Sequence, residues 1–188
     1  MARPRSDDKR NAIMAAAVRV IKKQGLSAPT AAIAKEAGVA NGSLFTYFAT
    51  KTILFNQLYL DLKTEMASAA SHGLSSDADI RERFFRAWAN WMQWAVYNPE
   101  KRLALALLAV SDEITEGTHA LGNQTMLHIA ALMEQVRLQG PMREVPFPFV
   151  AAVMNSLAEA TMDFMIRDPV HADQHSKAGF DALWRMLS

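Results

Sequence analysis

The sequence predicts an all-α protein. Apolar residues recur at intervals of three and four along almost the whole chain, the period of a helix that buries one face. Glycine and proline break that period at a few places, and no segment alternates apolar with polar residues as a half-buried strand does. Short helices are expected in the first third of the chain and longer ones after it.

Ser6 is the expected N-cap of the first helix, with Asp7 and Asp8 in its first turn. Ile13, Ala16, Ala17, Val20 and Ile21 form its inward face, and Gly25 ends it. Thr30 is placed to cap a short helix over residues 31–37, with Gly38 just past its end. A third helix is expected over residues 41–48. Thr50 caps a fourth, in which Leu54, Leu58 and Leu62 form a stripe with Phe55 and Tyr59 alongside. "SHGLSSDAD" reads as a loop, and a helix follows to Tyr97. "NPEK" restarts the chain, with Asn98 as cap, Pro99 as first helical residue and Glu100 in the first turn. "TEGTHALGN" is a weak stretch. Helices are expected over residues 123–139, 149–167 and 171–187, interrupted by the loop "GPMREVPFPF" and by "RDP".

With 188 residues, 51% hydrophobic and 21% charged, the chain is globular in composition. No unbroken apolar run approaches the roughly 18–20 residues of a membrane span, and the charged start lacks the apolar region of a secretory signal. No membrane partner and a cytoplasmic location are therefore expected. The absence of cysteine excludes disulfides, thiolate metal sites and cysteine nucleophiles. The net charge of +1 is unevenly spread. Residues 1–51 carry nine Lys or Arg against three acids, and the remainder carries eleven against sixteen. A basic head on an acidic body points to a polyanion as the head's partner, set against an ordinary solvated face.

"AGVANGSLFTYFATK", residues 37–51, explains that charge. Two short helices joined at Gly38 fit a helix-turn-helix, whose second helix enters the major groove of DNA. Leu44 and Phe48, four residues apart, point to the core. Phe45, Thr46 and Tyr47 then face outward or sideways, where hydroxyls bond phosphates and a Phe edge meets a thymine methyl. Lys51 opens the next helix, whose free amides also attract phosphate. A helical hairpin with a buried aromatic cluster accounts for Leu44 and Phe48 but not for Tyr47 beside Lys51.

The stretch "TAAIAKEAGVANGSLFTYFATKTILFNQLY" resembles the DNA-binding region of the TetR family of bacterial repressors, over about residues 8–60. The resemblance implies an all-α homodimer, with a three-helix helix-turn-helix head over residues 1–51 and a helical ligand-binding and dimerisation body over residues 52–188. It implies a double-stranded DNA operator and a small-molecule inducer as partners, no cofactor and no enzymatic activity. Carried over position by position, Thr30 caps the second helix and touches phosphate. Asn41 and Gly42 reach base edges, Ser43, Phe45, Thr46 and Tyr47 contact bases or phosphates, and Lys51 contacts a phosphate. Ala40 stands where the family has Ser or Thr, so Asn41 is a candidate replacement cap. Phe45 replaces the usual Tyr and loses a hydroxyl. Arg3 and Arg5 form a basic arm suited to a minor groove, or a frayed terminus.

In the body, Phe84, Phe85, Trp88, Trp91, Trp94 and Tyr97 crowd one helix, and the chain has eleven methionines. Such side chains line adaptable apolar pockets and attract organic cations, although for any single one of them core is the favoured reading. The resemblance favours a pocket with Tyr59, Met66, Trp88, Trp91, Met133, Met154 and Asp163 as ligand residues. It extends, through "LAVSDEIT" and "LAEATMDFMIRDP", to RamR-type repressors of multidrug efflux, which implies bulky apolar or cationic inducers. Glu159 and Asp163 are candidate counter-charges or exposed edge residues. Small residues on the helix from Phe149, with Phe180, Leu183, Trp184 and Leu187 on the last helix, suit a four-helix dimer interface or an intramolecular core.

The chain contains no G-x-S-x-G, glycine-rich phosphate loop or H-E-x-x-H, and Ser111-Asp112-Glu113 lacks a base at useful spacing. No metal site is expected, since His171 and His175 have no third ligand in the pattern. The competing class is a helical small-molecule-binding or cofactor-carrying protein without DNA function, which would show no salt-dependent binding to a specific duplex.

Overall fold

The computed structural model describes residues 4–75 and 77–188, with side chains from residue 7 onward. Arg3 lies outside the described residues, as do the side chains of Arg5 and Ser6. Among the described residues the structure is helical, without a strand. The elements are α1 (Pro4–Gln24), α2 (Thr30–Glu36), α3 (Asn41–Tyr47), α4 (Lys51–Ala70), α5 (Ile80–Tyr97), α6 (Pro99–Ala109), α7 (Glu116–Gln124), α8 (Leu127–Arg137), α9 (Phe147–Arg167) and α10 (Ala172–Leu187). One 3-10 turn, Pro169–His171, precedes α10.

The chain forms two compact units: residues to Thr64 together with Pro99–Asn123, and Glu65–Asn98 together with Gln124–Ser188. In the first, α1 packs on α2 and α6, and α2 packs on α3. The expected inward face of α1 is buried, with Ile13, Ala16 and Ala17 fully enclosed. Ion pairs add ties between helices. Glu36 of α2 accepts from Arg19 at 2.6 Å and pairs with Lys23 at 3.8 Å, both on α1. Arg10 pairs with Asp61 of α4 at 3.1 Å, and Lys22 with Glu100 of α6 at 2.9 Å.

Several sequence expectations about helix ends change. α1 starts at Pro4, two residues before Ser6, because proline's fixed φ suits a first turn. α2 takes Thr30 as its first residue and Pro29 as N-cap, with no side-chain cap. Asn98, expected before α6, also ends α5. Its side chain turns back and donates to the Trp94 carbonyl at 2.9 Å, closing α5. "TEGTHALGN" forms α7, started by the Thr115 hydroxyl, which accepts from the Thr118 amide at 3.2 Å. The expected helix over residues 123–139 shortens to α8. Thr50 is the cap the sequence implies: its hydroxyl accepts from the Ile53 amide at 3.1 Å.

In the second unit α5 packs against α8, α9 and α10, and α9 against α10. Phe180 of α10 meets Phe84 and Phe85 edge-on, with centroids 5.8 and 5.0 Å apart. Trp88 is 2% exposed, and its indole N–H donates to the Ser176 carbonyl at 3.0 Å. α10 lies close to α9 because position 179 is glycine: a Cβ there would sit 2.4 Å from Thr161 Oγ1. Arg137 organises the segment after α8. Its guanidinium binds Glu134 and donates to the carbonyls of Met142, Arg143 and Val145. α9 has the length and composition of a membrane-crossing helix, although acids at 159 and 163 interrupt its apolar run. Its inward face, Val150, Met154, Ala158, Met162 and Met165, is buried in this unit.

Asp168, between α9 and α10, accepts from His171 Nδ1 at 2.9 Å and His175 Nε2 at 3.0 Å. The hydrogen bonds from His175 and His171 hold its carboxyl below the ordinary aspartate value. Because the folded-state value is lowered, the contribution to stability is present above the ordinary aspartate range and lost as pH falls through the lowered value. Asp168→Asn should therefore lower the melting temperature at neutral pH, with the difference from wild type closing in strong acid.

Gly179→Ala should destabilise the protein by about 1–3 kcal/mol through overpacking. Adding Thr161→Ala removes the closest obstacle, so in chemical denaturation the double variant should lose less than the sum of the two single losses.

Candidate nucleic-acid interface and ligand site

The turn between α2 and α3 has a specific backbone geometry. Gly38 has φ of +69°, a left-handed conformation that side-chain-bearing residues rarely adopt. Its amide donates to the Lys35 carbonyl at 3.1 Å, and the Val39 amide donates to Ala34 at 3.0 Å. This paired closure satisfies the last carbonyls of α2 and sends the chain sharply into α3.

α3 has seven residues, too few to be stable alone. It is held by Leu44, 0% exposed, and Phe48 just past its end, 3% exposed. Their burial turns the other side outward. Asn41, Gly42, Ser43, Phe45 and Thr46 are all exposed, and Tyr47 is half-buried. Phe45 is 41% exposed, an open aromatic surface on the same face as the polar groups. The backbone at Gly42 is open, with no atom within 4 Å of where a Cβ would stand. Ala40 occupies the N-cap position without a side-chain bond, and Asn41 is the first helical residue. Asn41 therefore does not replace the missing cap, and its amide group is left exposed.

Lys51 starts α4 beside the Thr50 cap, with its ammonium 5.1 Å from the Phe55 ring centre. Of the nine basic residues in the head, Arg10, Arg19, Lys22 and Lys23 are engaged by acids within the unit. The Arg19 hydrogen bond and the Lys23 charge hold the Glu36 carboxyl below its ordinary value. Lys9 and Lys35 are exposed and Lys51 is half-buried. The charge asymmetry of the sequence thus overstates the cation surface available to a polyanion.

The expected ligand residues are divided between the units. Tyr59 belongs to the first; Met66, Trp88, Trp91, Met133, Met154 and Asp163 belong to the second. Tyr59 is buried, edge-on to His119 at 5.3 Å, with Gly122 of α7 so close that a Cβ would lie 2.7 Å from its ring. Trp88 meets Trp91 edge-on at 6.1 Å. Met66, Met133 and Met154 are buried in the second unit. Trp91 is half-buried against Ala70, Ala87 and Ile129. Asp163 is half-buried and already engaged by another group.

Sequence reading missed two features of α4. Asn56 donates to the Glu113 carbonyl at 2.7 Å and accepts from the Thr115 amide at 3.0 Å, while Thr52 donates to the Glu113 carboxylate. These bonds join α4 to the segment between α6 and α7. Lys63 lies one turn after Tyr59, with its ammonium 5.9 Å from that ring. Its i, i+4 relation to Tyr59 on an otherwise apolar stripe was the available signal.

Residues 13–58 match the family described as bacterial regulatory proteins, tetR family. The matched segment runs from α1 through the turn and α3 into α4. Over the whole chain, the structure is similar to a chain from Shewanella sp. PV-4 assigned to the tetR family of transcription regulators. Identity is 28%, coverage 95% of this chain and 97% of that one, and the TM-score 0.85. A TetR family transcription regulator from Marinobacter aquaeolei VT8 is 22% identical, with 97% and 96% of the two chains covered and a TM-score of 0.81. The transcriptional regulator FadR from Bacillus subtilis, in complex with stearoyl-CoA, is 16% identical, with 92% and 96% covered and a TM-score of 0.68. The helix-turn-helix geometry and the match over residues 13–58 identify the first part of the chain as similar to the tetR family's regulatory proteins, and over its whole length the chain shares the fold of TetR family transcription regulators.

Proposed function

We propose that the protein is a homodimeric repressor released from its operator by a small apolar molecule. The observation that carries this reading is the two-sided character of α3: Leu44 and Phe48 buried, Asn41, Ser43, Phe45 and Thr46 exposed. In the division of labour we assign, residues 1–51 bind DNA and residues 52–188 bind ligand and form the dimer. Asn41, Gly42, Phe45 and Thr46 read base edges. Thr30, Ser43, Tyr47 and Lys51 contact phosphates, and the backbone at Ala40 lies beside them. The dimer sets two α3 helices roughly 34–36 Å apart, one turn of DNA. Its interface draws on α9 and α10, where Phe149 and Phe164 are exposed at 59% and 56% beside exposed Ala152, Ser156 and Ala160.

α4 supports the coupling, because one continuous helix starts at Lys51 and runs to Ala70. A ligand touching its later turns acts on the element that carries the phosphate contact. To induce, the ligand binds the DNA-incompetent arrangement more tightly than the competent one. The aromatic and methionine side chains of the body favour an apolar inducer. Engagement of Asp163 and Glu159 by other groups removes the simplest counter-charge for a cationic one. Control of an efflux system by such a molecule, in the cytoplasm, is the setting we assign. The stearoyl-CoA held by FadR is an apolar-tailed ligand on the same fold and supports a body that accommodates such molecules.

Recovery of specific fragments from genomic DNA, followed by titration at several salt concentrations, tests the reading. A chain that retains no duplex in a salt-dependent way is not an operator-binding regulator.

Lys51→Ala should weaken binding to all duplexes about equally and reduce the salt slope by about one. Unchanged affinity and slope would remove Lys51 from the phosphate contacts.

Asn41→Ala and Thr46→Ala should each flatten discrimination at one or two base pairs per half-site, by roughly 1–3 kcal/mol. Binding measured against single-base operator variants checks this, and a uniform loss across all variants would assign the residue to positioning.

A further inference from the structure

Most cations of the first unit have an evident environment. Arg10, Arg19, Lys22 and Lys23 face acids, Lys9 and Lys35 face solvent, and Lys51 stands at a helix start. Lys63 fits none of these descriptions. It is half-buried on α4, and among the described residues no carboxylate pairs with it. The neighbouring acid Asp61 is taken by Arg10 and Gln57. Burial pushes the Lys63 ammonium below the ordinary lysine value and the Tyr59 phenol above the ordinary tyrosine value, so both groups sit in poorly hydrated surroundings.

The one described interaction of the ammonium is with the Tyr59 ring, 5.9 Å away. That ring is fixed from other sides by the His119 edge and by the close approach of Gly122. A cation over an aromatic face recovers only part of the hydration it has lost. A lysine held this way is an incomplete ion pair. An arriving anion supplies the missing charge, and the aromatic wall supplies apolar contact to whatever carries that anion. A single ammonium is a point charge without the two-pronged fork of arginine, which suits one carboxylate oxygen better than a planar bidentate clamp.

We propose that Lys63 is the charge anchor of the inducer, and that the inducer is an organic carboxylate with an apolar body seated beside Tyr59. This rests on the ligand-released regulator described above and gives its ligand a chemical class. It requires no second protein cation, because the ligand charge and the Lys63 charge cancel in a site that water reaches poorly.

Three probes with one ring system and different charge test it: 2-naphthoate, neutral 2-naphthamide and the cation 2-naphthylmethylammonium. Binding is measured by calorimetry on the full chain and on the Lys63→Met, Lys63→Gln and Lys63→Arg variants. Wild type should bind 2-naphthoate at least tenfold more tightly than the amide, with the cation weakest. Lys63→Met and Lys63→Gln should lose that preference while keeping the amide affinity, and Lys63→Arg should retain most of it. Thermal melts identify folded variants, and two neutral substitutions keep the test available if one fails to fold. The proposal is overturned if wild type ranks the cation first, if none of the probes binds, or if the preference for 2-naphthoate survives both neutral substitutions. Duplex binding by wild type is measured alongside. Absence of any salt-dependent duplex binding overturns the regulator reading and, with it, the inducer role. Intact duplex binding without a carboxylate preference overturns the Lys63 proposal alone.

Discussion

The helix-turn-helix depends on the burial of two side chains, Leu44 and Phe48. A seven-residue helix has little stability of its own, so α3 exists where its inward residues are held by the helices around it. Fixing those two also fixes the rotation of the helix. Asn41, Ser43, Phe45 and Thr46 face outward as a consequence, with no interaction needed to aim each of them separately. Gly38 makes this possible one step earlier, because its left-handed backbone lets α2 end and the chain turn within a few residues. A Cβ at that position would meet no neighbouring atom, so the constraint there is conformational and not steric crowding.

Charge in the head is used for assembly before it is used for recognition. Glu36 gathers Arg19 and Lys23, and Asp61 and Glu100 take Arg10 and Lys22. These pairs are largely exposed, and exposed pairs contribute little to stability. Their greater consequence is for the surface field, because each removes a cation from the set facing a polyanion. Lys9, Lys35 and Lys51 then matter more than a count of basic residues suggests. The body shows the opposite economy. Trp88 is placed by its indole bond to Ser176 and by the absence of a side chain at Gly179, so it works as a packing element between α5 and α10. Met66, Met133 and Met154 are likewise enclosed.

The sequence by itself determined the helices, their approximate ends and the two faces of α3. Those properties are local: the spacing of Leu44 and Phe48, the glycine at 38 and the threonine at 50 act on residues within a turn or two. Helix starts were read less well, because proline, serine and threonine compete for the same first-turn positions; α1 already runs from Pro4, ahead of Ser6, and Pro29 holds the N-cap position expected of Thr30. Only the tertiary structure decided which polar groups are already satisfied. Ser176 is 88 residues from the indole it bonds, and Asp61 is 51 residues from Arg10. No local period encodes such pairings. For the same reason the sequence left Asp163 as either a counter-charge or an edge residue, and the spacing of Lys63 from Tyr59 did not reveal that its ammonium faces that ring without a carboxylate among the described residues. Whether a charge has a partner depends on which elements the fold brings beside it, and that is settled when the apolar faces pack.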